Sequence, residues 1–238
     1  MKALILAGGK GSRLQPYTTV LPKPLMPVGE DPILSIVLQQ LAHAGIQEVI
    51  LATGSLEPLF RAVFENGQRF GIHLEYSTET HPLGTAGPIA QVLDKLEDHF
   101  LVMNGDLLTT LSYRSFFESH LASGAALTIA AAHREVPIDF GVLEVDARGC
   151  LEAFHEKPVH SFDVSMGIYA MQRQAVAPFL KKGEAMDFPE LVQCLLKNGK
   201  PVHCYREDCF WLDIGRVEDY RLANEIIETR KSEFIPEK

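Results

Sequence analysis

The chain has 238 residues, 46% of them hydrophobic and 22% charged, enough apolar material for a sizeable core and too much for a disordered or fibrous protein. Twenty-two Lys and Arg against 31 Asp and Glu give a formal charge of −9, so no broad basic footprint for nucleic acid exists. A site for a single phosphorylated ligand needs only a few local cations and stays open.

The longest weakly polar stretch, about 121–132, carries Ser123, Gly124 and Thr128 and stops at His133, so no membrane span is expected. The apolar run before Gly8 is too short for a signal-peptide core. Cys150, Cys194, Cys204 and Cys209 contain no C-x-x-C pair, which points to a reduced, cytoplasmic protein.

In chain order, a strand over 3–7 is followed by a helix over about 32–44, with Asp31 expected as its cap and Pro32 in its first turn. A strand over 48–52, a helix near 56–65, a strand near 72–76, a helix near 86–96 and a strand over 99–103 continue the β-α-β order. This alternation predicts a mainly parallel sheet covered by helices on both faces. Beyond Gly124 come strand-rich stretches over 127–132, 141–145, 151–156 and 164–171, and helices near 188–197 and 217–231. The expectation is one α/β domain over 1–238 with a mixed Rossmann-like sheet: a nucleotide-binding half over about 1–110, then a half over about 111–238 whose strands form a lid or substrate wall.

The densest local signal is Leu6-Ala7-Gly8-Gly9-Lys10-Gly11-Ser12-Arg13-Leu14-Gln15-Pro16, directly after the first strand. Its glycines let backbone N–H groups approach phosphate oxygens, and Lys10 and Arg13 add charge. The dinucleotide fingerprint fails, because Leu14 stands where its third glycine belongs, and the P-loop fails because Leu4 stands where its first glycine belongs. A tight strand-to-helix turn with no ligand is the alternative. In Leu21-Pro22-Lys23-Pro24-Leu25, prolines on either side of one lysine predict a stiff extended loop that presents a fixed charge, where an ordinary solvated lysine is the alternative.

Together these segments read G-G-x-G-x-R-L-x-P followed by P-K-P-L, and the sequence so resembles the sugar-1-phosphate nucleotidyltransferases, closest to their short mannose- or heptose-1-phosphate guanylyltransferase-like branch. The resemblance extends along most of the chain and implies a nucleotide-diphospho-sugar transferase type of fold. It places the nucleoside against Pro82-Leu83-Gly84-Thr85-Ala86-Gly87-Pro88, with Gly84, Thr85 and Ala86 in contact; locally this is also a loop with a cap at Thr85. It gives Mg2+ to Asp106, in Asn104-Gly105-Asp106, and to Asp213, in Trp211-Leu212-Asp213-Ile214-Gly215. Without it, Asp106 is a turn former and Asp213 a helix cap. For the acceptor sugar it points to Asn104, Gly141, Glu156 and Gly167, with Lys157 on the acceptor phosphate. Where the family often has Asn-x-Gly-x-Tyr, this chain has Ser165-Met166-Gly167-Ile168-Tyr169, and a serine reaches less far than an amide.

The implied reaction joins an NTP and a sugar 1-phosphate into an NDP-sugar with release of pyrophosphate. Arg13, Lys23 and Lys157 act on the phosphates and Leu6 to Ser12 cradle the nucleotide. GTP with mannose 1-phosphate or a heptose 1-phosphate is the leading expectation. Thymidylyl or uridylyl transfer to glucose 1-phosphate or N-acetylmuramate 1-phosphate is the alternative within the class, and a non-catalytic subunit that senses sugar nucleotides the alternative outside it. A homodimer is expected at the family level, with no membrane or nucleic-acid partner.

Overall fold

The computed structural model describes residues 1–9 and 11–235. The chain runs β1 (Lys2–Leu6), a hairpin of β2 (Pro27–Val28) and β3 (Asp31–Pro32), α1 (Ile33–His43), β4 (Glu48–Thr53), α2 (Glu57–Phe64), β5 (His73–Thr78), α3 (Gly87–Val92), β6 (His99–Asn104), β7 (Leu107–Thr109) and α4 (Tyr113–Ser123). It continues with β8 (Leu127–Pro137), β9 (Val142–Val145), β10 (Leu151–His155), β11 (Val159–Gln172), α5 (Arg173–Val176), α6 (Phe188–Lys197), β12 (Val202–Arg206), β13 (Trp211–Asp213) and α7 (Val217–Phe234).

Seven strands form the main sheet in the order β12-β8-β11-β6-β1-β4-β5. Only β11 runs against the others, being antiparallel to both β6 and β8, while the remaining neighbours pair in parallel. Ala3, Leu4 and Ile5 are fully buried because both faces of β1 are covered. Strand alternation divides the core: Ala3 and Ile5 face Leu34, Val37 and Leu41 of α1 and Phe60 of α2. Leu4 faces Ile89 of α3 and Leu191 and Leu195 of α6. A third cluster seats α7, through Ala223, Ile227 and Phe234, against Leu14, Met26, Ile36 and Ile214.

The mixed, mainly parallel sheet matches the expectation, with local differences. Pro32, not Asp31, occupies the cap position of α1, and Asp31 pairs with Val28 in the hairpin. The helix expected to run to about residue 96 ends at Val92 and passes into a 3-10 turn, Leu93–Lys95. The stretch over 121–132 divides at Gly124, whose φ of 62° ends α4 before β8 begins. The later strands do three things: β8, β11 and β12 extend the main sheet, β9 and β10 stand apart as a two-stranded ribbon, and β13 pairs with β7.

Candidate active site

The register aligns Leu6 of β1 with Ala52 of β4 and Asn104 of β6, so the carboxyl ends of three parallel strands finish at one level. The turns that follow them line a cavity of about 850 Å3, with Gly8, Gly9 and Gly11 after β1, Gly54 and Ser55 after β4, Glu79 to Thr85 after β5, and Asn104 and Asp106 at the end of β6. Clefts at the carboxyl ends of strands are where open α/β sheets take ligands.

The glycine turn is held at both ends. Ala7 N donates to Ala52 O at 2.8 Å, and Leu14 N to Gly11 O at 2.9 Å. Gly11 has a φ of 59°, and its carbonyl accepts from the hydroxyl of buried Thr18 at 2.7 Å. Leu14 is fully buried in the cluster that seats α7, which fixes the short 3-10 turn Ser12–Leu14 and leaves Arg13 on the cavity side. A Cβ added to Gly215 would sit 3.5 Å from the Arg13 guanidinium, so α7's approach and the glycine turn meet there. Lys10 lies outside the described residues.

Lys23 is not a solvated lysine, and its loop is not extended. Residues Lys23–Leu25 form a 3-10 turn whose Leu25 and Met26 are core residues, and Lys23 is only 8% exposed. Its Nζ contacts Oδ2 of Asp106 and lies 3.4 Å from Oδ1 of Asp213. The two acids meet because β7 and β13 pair antiparallel, Leu107 opposite Asp213, with Ile214 N donating to Asp106 O at 3.2 Å. Asp213 does not cap α7: Arg216 occupies that position and Asp219 supplies the carboxylate.

Asp106 has a side chain 20% exposed, and its Oδ1 is buried with no hydrogen-bond partner. Burial pushes its carboxyl above the ordinary range, the Lys23 ammonium opposes that, and the Asp213 charge adds to it. Two carboxylates converging on one cation, one with an unpartnered oxygen, suit a divalent ion that takes its other ligands from water and phosphate oxygens. Among the described residues no cluster of three or more His, Cys, Asp and Glu could hold a metal unaided.

Gly167 and Asn104 are brought together: with a φ of 74°, a Cβ at Gly167 would lie 2.6 Å from Asn104 Nδ2. Ser165, the departure from the family pattern, donates its hydroxyl to Tyr169 Oη at 3.1 Å and accepts from Gly167 N at 3.3 Å, which fixes the irregular register of β11 there. Gly141, Glu156 and Lys157 are not brought to the cavity wall. Glu156 and Lys157 are exposed beyond β10, and Gly141 lies under the Phe154 ring, which is 2.5 Å from where its Cβ would be.

Glu79 escaped the sequence reading. It follows β5, its Oε2 accepts from Leu83 N at 3.1 Å, and its Oε1 would be 3.0 Å from a Cβ on Gly8. Its carboxyl is raised above the usual range, chiefly by burial. The signal that could have found it is position, an acid at a parallel strand's carboxyl end four residues before Leu83. Thr85 is not a helix cap, since α3 has Ala86 at that position with no side-chain bond.

A family model described as nucleotidyl transferase matches residues 2–230. A mannose-1-phosphate guanylyltransferase of Mycobacterium tuberculosis is 34% identical over 92% of this chain and 62% of its own length. A UTP--glucose-1-phosphate uridylyltransferase of Synechocystis sp. is 31% identical over 92% of this chain and 61% of its own length. The chain thus spans about 62% of the length of the first of these curated relatives. Among solved structures, HddC from Yersinia pseudotuberculosis complexed with GMP-PN superposes with a TM-score of 0.73 at 25% identity, covering 94% of this chain and 98% of that one.

Proposed function

Since the chain belongs to the nucleotidyl transferase family, we propose that it transfers a nucleotidyl group from an NTP to a sugar 1-phosphate, giving an NDP-sugar and pyrophosphate. The observation that carries this is the meeting of Lys23, Asp106 and Asp213 beside the glycine turn, in a cavity large enough for a nucleotide. A sensor of sugar nucleotides needs no buried cation between two carboxylates.

An oxygen of the sugar 1-phosphate attacks the α-phosphorus, and the bond from that phosphorus to the bridging oxygen of the β-phosphate breaks. The electron pair leaves on pyrophosphate. The second pKa of a phosphate monoester is about 6, so the acceptor is largely ionised at neutral pH and no residue need remove a proton. Catalysis then lies in positioning and charge. The amides from Leu6 to Ser12 and the Arg13 guanidinium hold the departing phosphates, with Lys10 assigned to the same cradle. Lys23 offsets repulsion between the two anions. Family members generally use a divalent metal, and Mg2+ held by Asp106 and Asp213 would supply Lewis-acid charge to the phosphates. Asn104 and Gly167 face the acceptor sugar.

Glu79 favours guanine as the base. An ionised carboxylate accepts only, and guanine offers two adjacent donors, N1–H and the N2 amino group, whereas uracil and thymine offer one donor between two acceptors. Gly84, Thr85 and Ala86 form the surface beside it. We assign GTP as donor, with mannose 1-phosphate or a heptose 1-phosphate as acceptor, in nucleotide-sugar biosynthesis. Thymidylyl or uridylyl transfer remains the second reading, favoured by the likeness to the uridylyltransferase.

The reading also takes residues 1–238 as one catalytic domain working in the cytoplasm, in keeping with the free state of Cys150, Cys194, Cys204 and Cys209. No helix among the described residues is long and apolar enough to cross a membrane. It includes a homodimer through the ribbon, whose register puts exposed Leu143, Val145, Leu151 and Phe154 on one uncharged face that a second copy can cover despite the net charge. Pyrophosphate release measured across five NTPs and a panel of sugar 1-phosphates, with and without Mg2+, tests the reading. Release only with GTP and one of the named acceptors is expected, and none with any pair would overturn it.

A further inference from the structure

The nucleoside-facing segment Leu83 to Gly87 is moulded on residues a hundred positions away. Met186 O accepts from Ala86 N at 2.8 Å and from Gly87 N at 3.0 Å, and Met186 N donates to Leu83 O at 3.0 Å. These backbone bonds align the two segments. Two side-chain contacts come from Asp187, whose Oδ1 accepts from Thr85 N at 2.9 Å and from the Thr85 hydroxyl at 3.2 Å. The same hydroxyl accepts from Phe188 N at 2.9 Å, and Phe188 is itself fixed by its ring stacked on Tyr169, centroids 3.8 Å apart. Gly84 has a φ of 74°, and a Cβ there would be 2.5 Å from Met186 O and 2.7 Å from Asp187 Oδ1, so the two segments lie flush. Leu83, Gly84 and Thr85 line the cavity, and Asp187 stands behind them.

We propose that Asp187 is a positioning residue for the nucleotide: through Thr85 it holds the Gly84-Thr85 backbone in the shape that receives the nucleoside, and so sets nucleotide affinity without touching the ligand. This rests on the nucleotidyltransferase reading. Asp187 also forms a reciprocal capping box with Glu190, its N donating to Glu190 Oε2 at 3.0 Å. That second duty supplies the control. If Asp187 were only a helix cap, breaking the box from the Glu190 side would have the same effect as removing Asp187.

The test is titration of a fluorescent GTP analogue with Mg2+ into wild type, Asp187→Ala, Asp187→Asn, Glu190→Ala and Thr85→Val, each first checked for a cooperative melt. Asp187→Ala is expected to raise Kd about tenfold or more, the weight of hydrogen bonds to a charged acceptor. Asp187→Asn, which keeps a neutral acceptor, raises it less, and Glu190→Ala lowers the melting temperature with Kd unchanged. KM for the sugar 1-phosphate stays as in wild type. Should the alanine variant not fold, Thr85→Val carries the same expectation. Wild-type-like Kd in Asp187→Ala and Thr85→Val, or an equal rise in Glu190→Ala, overturns the assignment while wild type still binds. Absence of saturable binding by wild type overturns the GTP assignment, and its absence also with fluorescent UTP and dTTP analogues overturns the functional reading beneath it.

Discussion

Lys23 and Asp213 are 190 residues apart in sequence and 3.4 Å apart in space, and the same ammonium contacts Asp106. One cation therefore offsets two acids that the sheet topology would otherwise press together. Replacing Lys23 with Met leaves both carboxylates uncompensated. Breaking a mostly buried pair costs about 3 kcal/mol, or a melting temperature roughly 6–12 °C lower in a chain of this size. Turnover should fall on the order of a hundredfold. Because a divalent ion can replace the lost charge, millimolar MgCl2 should raise the melting temperature of Lys23→Met more than that of wild type; scanning calorimetry with and without the salt checks this.

Glu79→Gln exchanges an acceptor-only group for one that also donates, which suits a pyrimidine edge better than a guanine edge. The ratio of kcat/KM for GTP to that for UTP should drop at least tenfold, mostly through the GTP value. Pyrophosphate release with both nucleotides measures it, and an unchanged ratio removes Glu79 from base selection.

Gly167→Ala forces a side chain into a left-handed backbone, at roughly 1–2 kcal/mol, and drives it against Asn104 Nδ2. KM for the sugar 1-phosphate should rise severalfold with nucleotide Kd unaltered. Steady-state kinetics with each substrate varied in turn would show it.

His120 is fully buried, its Nδ1 2.8 Å from Thr128 Oγ1 and its Nε2 3.0 Å from His99 Nδ1. Burial, with smaller contributions from His99 and His203, pushes its pKa from 6.5 down to about 4. The folded state resists protonation, so as pH falls below 6.5 the unfolded chain takes up the proton first. The stability contribution is complete above pH 6.5 and is lost between 6.5 and about 4, at most about 3 kcal/mol at 1.36 kcal/mol per unit. Urea melts across that window should show a steeper fall for wild type than for His120→Gln.

The glycine turn and the charge carried by the Lys23 loop are legible in the spacing from Gly8 to Leu25. Asp106 and Asp213 are singled out only by the family resemblance, since locally they read as a turn former and a helix cap; Asp106 follows β6 and Asp213 ends β13. What could not be read was set by long-range contact. Lys23 reads as a fixed charge on a stiff extended loop, and its buried 3-10 turn stays hidden because nothing near it in sequence shows that Leu25 and Met26 pull that turn into the core. Asp31 looked like a cap because Asp is a good one, yet pairing with Val28 claimed it for a hairpin. The helix α4 is legible in part: its buried Tyr113, Phe116 and His120 fall at the i, i+3, i+7 spacing of a helix face, but the face is short and includes a polar histidine. The dual bonding of Asp187 joins two halves of the chain that local pattern treats separately.

The ion shared by Asp106 and Asp213 is the centre of the proposed site. Titrating Mn2+ by electron paramagnetic resonance, with a non-hydrolysable GTP analogue, measures it directly. The account predicts one tightly held ion in wild type and loss of that site in both Asp106→Asn and Asp213→Asn, each still folded; undiminished Mn2+ binding in either variant would contradict it.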